Sequence, residues 1–264
     1  MGIRKKDYKR IVVKVGSSTI THENGNINLN KIYDLAWQLS NLRNYGVEVV
    51  LVSSGAVAAG AKRLNLCERP KSVRVKQAAS AVGQVALMNT YNMAFNEFNY
   101  QTAQILLTRL IETDKEMYKN AKNSFDELFG LNVIPIVNEN DTISTYEIKF
   151  GDNDTLSAVV ARIVDADLLI LLSDIDGLYD DDPRQNKNAK LIKKVTKIDD
   201  KLENMAHDTK SSVGTGGMTT KIKACKLCFE KNIDVIIANG SDMVNLRRIA
   251  NGEEIGTLFT KGEN

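Results

Sequence analysis

The chain has 264 residues, 43% hydrophobic and 26% charged, with only 3 prolines. A chain of this length buries roughly 70–75% of its unfolded surface and needs no disulfide staples to fold. Lys and Arg total 35 against 33 Asp and Glu, a formal charge of +2 that is too balanced to imply nucleic-acid or membrane binding. The 3 cysteines, an odd number, argue against a disulfide framework, and the 2 histidines (His22 and His207) argue against a His-based triad or a zinc site. The basic opening lacks a signal peptide's long apolar region, and no stretch approaches the ~18 apolar residues of a membrane span, so a cytoplasmic location is expected.

In chain order, "RIVVKVGSS" reads as a buried strand delivering a loop. "NKIYDLAWQLSNLRNYG" follows as a helix, with Ile32, Leu35, Leu39 and Leu42 at helical spacing and Gly46 at its end. "VEVVLVSSG" is a second strand, "AVAAGAKRL" a helix and "VKQAASAVGQVALMNTYNMAFNEF" a long helix. "TAQILLT" is a strand, "DKEMYKNAKNSFDELFG" a helix closed by Gly130, and "NVIPIVNEN" a strand. Helix "DTLSAVVARIV", strand "ADLLILLSD" and the loop "GLYDDDPRQNKNA" come next. The last third predicts helix "KIDDKLENMAH", a glycine loop, helix "TTKIKACKLCFEKN", strand "IDVIIANG", a short helix from Met243, and "TLFT" as an edge strand. Strands and helices alternate, and the strands are continuous apolar runs, the pattern of a parallel sheet buried on both faces. Without a repeat or a Pro/Ser-rich linker, the expectation is one fused α/β domain over residues 1–264 with two lobes. Ligands of such folds sit beyond the carboxyl ends of the strands, where the polar clusters lie.

"VGTGGMTTK" (213–221) is not the G-x-x-x-x-G-K-[ST] phosphate loop, because Thr220 precedes Lys221 and the glycines crowd its front. Its amides and the helix opened by Met218 nevertheless point at one spot, an anion site by geometry and dipole, with Lys221 adding a mobile cation. "KVGSS" repeats that physics: Lys14 lies in an apolar strand, costly to bury unpaired, ahead of Gly16, Ser17 and Ser18. "GDNDTLSA" clusters Asp152, Asn153 and Asp154 at a helix start where one cap would need one residue. "VNEND" sets Asn138 and Asp141 past a buried strand. "LSDIDGLYDDDPR" carries five aspartates but lacks the Ca²⁺-loop pattern, so it predicts no dedicated metal cage. The Cys225-x-x-Cys228 pair reads as two half-buried helical residues.

In this order, "VVKVGSS", "VSSGAVAAG", "VNENDT", "KFGDNDTLSA", "LLSDIDGLYDDDPR", "GTGGMTTK" and "IIANG" resemble the amino acid kinase family, over residues from about 10 to 260, and within it the branch that phosphorylates glutamate. The resemblance implies an α/β/α sandwich around a mainly parallel sheet of about eight strands, with an N-terminal lobe for the amino acid and a C-terminal lobe for ATP. The PUA-type domain that follows in many relatives of that branch is not expected in a chain ending at Asn264. The implied reaction passes a phosphoryl group from ATP to the γ-carboxylate of L-glutamate, the first step towards proline. Other carboxylate or carbamate kinases of the fold, and a non-catalytic nucleotide or amino-acid sensor, are the alternatives. Carried over residue by residue, the resemblance implies Lys14, Asp154 and Lys221 as the catalytic set, with Asp154 orienting the two lysines. It places substrate contacts at Ser54, Asp141 and Asn153; Gly55, which lets the backbone come close, and Asn138, past its buried strand, join them from the reading of the residues. ATP contacts fall at Lys14, Gly16, Ser17, Ser173 and Asp174, and along Thr215, Gly216, Gly217, Met218, Thr219, Thr220 and Lys221. Mg²⁺ bound mainly through the ATP phosphates, feedback inhibition by proline and a homo-oligomer are further expectations. The acceptor is a carboxylate with a pKa near ~4.3, already ionised at pH 7, so no general base is needed. The barrier lies in bringing an anion to a polyanion, which positioning and cations lower.

Overall fold

The computed structural model describes residues 7–68, 70–144, 153–200, 202–203, 205 and 217–261. Eight strands form one sheet in the order β3-β4-β2-β1-β5-β7-β8-β6. They are β1 (Arg10–Val15), β2 (Glu48–Ser53), β3 (Thr102–Leu107), β4 (Ile134–Glu139), β5 (Leu168–Ser173), β6 (Lys194–Val195), β7 (Asp234–Asn239) and β8 (Thr257–Phe259). All neighbours pair parallel except β7 and β8. The helices, numbered in chain order, are α1 (Ser17–Ile20), α2 (Leu29–Asn44), α3 (Ala56–Arg63), α4 (Val73–Asn96), α5 (Lys115–Gly130), α6 (Asn153–Ile163), α7 (Met218–Phe229) and α8 (Val244–Ala250).

The sheet is covered on both faces. Ile11, Val13, Leu51, Ile136 and Ile170 pack with Leu35 and Leu39 of α2, Leu87 and Tyr91 of α4, and Leu246 of α8. Val12, Val50, Val52, Val137, Leu169 and Leu171 pack with Phe125 of α5, Val160 of α6, and Ile222 and Cys225 of α7. This is the expected α/β/α sandwich. The period-2 alternation of strand side chains then decides where the polar residues point. Lys14 shares a face with Val12, towards α6 and α7. Ser53 and Asn138 share theirs with Leu51 and Ile136, towards α4.

β1 lies in the middle of the sheet, and the chain leaves it towards β2 on one side and returns from α6 to β5 on the other. Strand order therefore reverses at β1, where doubly wound sheets open a crevice for ligands. Lys14 is one residue from that carboxyl end and only 7% exposed, so it is no edge-strand lysine. The α3 and α4 helices touch backbone to backbone: a Cβ at Gly60 would lie 1.7 Å from the Ala79 carbonyl oxygen, and one at Gly83 would lie 1.8 Å from that of Ala56. Only glycine allows this approach.

Three expectations are corrected. "TLFT" is not the edge: the two-residue β6, too short to show in the pattern, pairs outside β8. Gly130 does not close α5; the helix runs through it to a cap at Leu131, and Asn132 takes the left-handed backbone with φ 59°. Cys225 and Cys228 are fully rather than half buried. Burial pushes the Cys225 thiol well up and that of Cys228 to about 12, the form of inert core thiols. Residues 201, 204, 206 and 207 of the "KIDDKLENMAH" helix, the front of the glycine loop (Gly214, Thr215 and Gly216) and Asp152 lie outside the described residues. No helix among the described residues is long and apolar enough to cross a membrane.

Candidate active site

Three charged side chains meet beneath the carboxyl end of β1. Asp154, in the first turn of α6, is fully buried. Its Oδ1 lies 2.7 Å from Lys14 Nζ and its Oδ2 3.1 Å from Lys221 Nζ. The Thr220 hydroxyl donates to the same Oδ2 at 2.7 Å. Burial alone would raise the Asp154 carboxyl, but the Lys14 and Lys221 ammoniums, with hydrogen bonds from Lys14 and Thr220, outweigh it and hold it well below the usual carboxylate range. Among the described residues, two ammoniums face one carboxylate in a largely dry place. That is an anion-binding centre with little freedom to reorganise.

Gly217 caps the start of α7 with no side-chain bond, so the positive end of the helix dipole faces the same region, with Met218 buried beneath. Thr219 and Thr220 follow in that first turn. Gly16 caps the short α1, and a Cβ there would stand 3.8 Å from Lys14 Nζ; Ser17 opens that turn. Ser173 ends β5, its hydroxyl donating to Asp174 Oδ1 at 3.2 Å, while Asp174 pairs with Arg184 at 2.6 Å. Among the described residues no three His, Cys, Asp or Glu side chains are grouped as a metal cage.

A second, neutral cluster adjoins this centre. Asn153, the neighbour of Asp154, is 3% exposed. Its Nδ2 donates to Ser54 Oγ at 2.8 Å and to Asn138 Oδ1 at 3.1 Å. The Ser54 oxygen thus accepts within the protein. Gly55, with φ +106°, turns the chain from β2 into α3, and a Cβ there would press on Ile20 Cδ1 at 3.1 Å. Asp141 follows β4, and its Oδ2 accepts from Ser80 of α4 at 3.0 Å. Burial, with the nearby Glu139, pushes the Asp141 carboxyl up to about 6, against the Ser80 hydrogen bond. Asp141 and Glu139 line a cavity of about 200 Å³ with Ser80, Gln84 and Gln104.

Every expected site residue within the described chain thus lies at or beside the carboxyl ends of β1, β2, β4 and β5 or the starts of α6 and α7; Thr215 and Gly216 fall outside it. The sequence reading missed Ser80, Gln84 and Gln104, and the bond from Thr220 to Asp154. Ser80 and Gln84 carried a signal: polar residues four apart on a face of α4 that buries Leu87, Tyr91 and Phe95.

The model of the amino acid kinase family matches residues 9–239. The chain belongs to the amino acid kinase family, among its glutamate 5-kinases. It is 51% identical over 264 residues to the glutamate 5-kinase of Clostridium perfringens, covering 98% of each chain. It is 50% identical over 262 residues to that of Clostridium acetobutylicum, again covering 98% of each. The glutamate 5-kinase of Caldanaerobacter subterraneus subsp. tengcongensis is 51% identical over 255 residues, 97% of this chain and 68% of that longer relative. Among solved structures, UMP kinase from Bacillus anthracis superposes with a TM-score of 0.62 at 16% identity, covering 98% of both chains. Isopentenyl phosphate kinase from T. acidophilum does so with a TM-score of 0.62 at 17% identity, covering 94% and 99%. At such identities these two attest the amino acid kinase fold alone.

Proposed function

We propose that this site transfers the γ-phosphoryl group of ATP to the γ-carboxylate of L-glutamate, giving L-glutamyl 5-phosphate and ADP, the reaction that opens the route to proline. The observation that carries the reading is the pair of buried lysines held on one buried carboxylate at the switch point of the sheet. A γ-carboxylate oxygen attacks the γ-phosphorus, the bond to the bridging oxygen breaks, and ADP leaves with that electron pair. No proton has to be removed from the acceptor, so the site needs no general base.

Lys14 and Lys221 touch the transferring phosphoryl and its leaving oxygen and offset charge that builds up there. Asp154 is their positioning residue. With both its oxygens engaged by ammoniums and Thr220, it abstracts no proton. The α7 start, from Gly217 through Thr219, and the Gly16–Ser17 turn face the ATP phosphates; Thr215 and Gly216 extend the first of these. Ser173 and Asp174 border the rest of the nucleotide. Ser54 donates to a substrate carboxylate, Gly55 lets its backbone come close, and Asp141 takes the α-ammonium, with Asn138 and Asn153 beside it. Residues before α6 thus supply most of the amino-acid contacts and residues from β5 onward most of the ATP contacts, which supports two lobes in one domain. The described donor set fits Mg²⁺ only as an ion carried on the ATP phosphates, where it would offset their charge. Proline keeps glutamate's α-carboxylate and cationic nitrogen without the γ-carboxylate, so it competes for the α-group contacts.

The decisive experiment is ADP release as a function of L-glutamate, with hydroxylamine trapping the acyl phosphate. L-Aspartate, N-acetyl-L-glutamate and carbamate serve as competing acceptors. Turnover with L-glutamate well above the others supports the reading, and preference for another acceptor refutes it.

A further inference from the structure

The neutral cluster has a direction that can be read without choosing how any amide is turned. The Glu139 backbone N–H can only donate, and it donates to Asn138 Oδ1 at 2.9 Å. Asn138 Nδ2 must then face the other way, where it donates to Gln84 Oε1 at 2.9 Å. Gln84 Nε2 passes the polarity on to Gln104 Oε1 at 2.9 Å. On the near side, Asn138 Oδ1 can receive only a donor from Asn153, so Nδ2 is the atom 3.1 Å away. The Ser53 carbonyl, which only accepts, lies 3.4 Å from the same Nδ2. Backbone groups of single polarity therefore anchor the row at Asn138 and at its Asn153 end, Gln84 meets the remaining face of Asn138, and turning either asparagine sets acceptor against acceptor or donor against donor.

The consequence falls on Asn153 Oδ1. It is buried and has no hydrogen-bond partner among the described residues. A buried acceptor left unmet is costly, so a native site that keeps one points to a ligand that meets it. Gln84, 7% exposed, is held in turn by the glycine contact of its neighbour Gly83 with Ala56. We infer that Gln84 is a positioning residue of the amino-acid site: by accepting from Asn138 it keeps Asn153 Oδ1 turned as an acceptor for an N–H of the substrate's α-ammonium. This rests on the glutamate kinase reading above and goes beyond it by assigning that orientation to a side chain on α4.

The test uses the whole chain, with L-glutamate saturation at saturating ATP, ATP saturation at saturating L-glutamate, and competitive inhibition by glutarate, which lacks the α-ammonium. Gln84→Met removes the acceptor at similar size; Gln84→Ala removes it with less strain and serves if the first does not fold. Each should raise the KM for L-glutamate about tenfold, with kcat and the KM for ATP within about twofold and the Ki of glutarate little changed. Gln84→Glu, whose carboxylate still accepts from Asn138, should recover most of the lost affinity. An unchanged KM for L-glutamate, or equal weakening of glutamate and glutarate, or a Gln84→Glu as impaired as Gln84→Met, overturns the inference while leaving a working kinase. A wild-type chain with no glutamate-dependent ADP release overturns the kinase reading itself.

Discussion

Asp154 and Asn153 are consecutive on α6 and both are buried, yet the groups around them are held in opposite ways. Around Asp154, two ammoniums and a hydroxyl close on one carboxylate, and charge does the holding. Around Asn153, neutral amides and hydroxyls are held by donor and acceptor direction. The first arrangement sets two ammoniums against one carboxylate, which suits a phosphoryl group whose charge changes during reaction. The second is neutral and distinguishes the shape and polarity of a substrate that does not change there. Removing charge around Asp154 should therefore damage turnover, and removing direction around Asn153, or the neighbouring Asp141 carboxylate, should damage recognition.

The largest expected effect comes from Asp154→Asn. It leaves two buried ammoniums without their counter-charge, a break that costs about 3–5 kcal/mol of stability. Turnover should fall about 10²- to 10³-fold as the lysines lose their register. Melting temperature and kcat measured together check this, and a stable, active variant would contradict the hub. Lys221→Ala comes next. It should lower kcat by a factor of roughly 10² with little change in the KM for glutamate; a raised KM at intact kcat would place Lys221 outside the phosphoryl contacts.

Asp141→Ala tests the recognition side. It should weaken both glutamate and proline, since each loses a charge-assisted hydrogen bond worth roughly 1.5–3 kcal/mol. Proline inhibition that persists undiminished beside a raised glutamate KM would mean a separate regulatory site.

The smallest effect is in pH. The Asp141 carboxyl, raised by burial and Glu139 to about 6 and opposed by Ser80, is neutral below that value in the free protein and binds an ammonium poorly there. The kcat/KM for glutamate should therefore fall as pH drops, about twofold at pH 6 and about tenfold at pH 5 relative to pH 8. The linkage to stability runs the other way. A carboxyl whose folded value lies above its unfolded one favours the fold while protonated, and that contribution is lost as pH rises through about 6. Asp154 behaves oppositely, because its folded value lies below the unfolded one. Its contribution is complete above the ordinary carboxylate range and fades only as pH falls below it, so kcat at saturating glutamate should stay flat from about pH 6 to 8. An acid limb in kcat near neutrality that disappears in Asp154→Asn would make Asp154 a base after all.

What the sequence determined by itself was set by local pattern. Continuous apolar runs such as Ile11–Val13 and Leu168–Leu172 marked strands buried on both faces, and glycines and short polar runs marked where those strands end. Lys14 stood out because a charge inside an apolar strand is costly and must have a reason, Asp154 as one of three polar side chains clustered at a helix start, and Lys221 as the cation behind the glycine loop. Tertiary structure alone decided what those residues meet. The Lys14–Asp154 pair spans 140 positions and exists because period 2 turns Lys14 towards α6, while the sheet order sets β1 at the switch point. Gln84 is the plainer case. Local pattern marks it only as a polar residue on the buried face of a long helix, four residues from Ser80. Its role arises because Gly60 and Gly83 let α4 press on α3 and because Asn138, on a strand 54 residues later, turns the same way. Hydrogen-bond direction between distant amides is a property of the assembled fold, and no pattern along the chain encodes it.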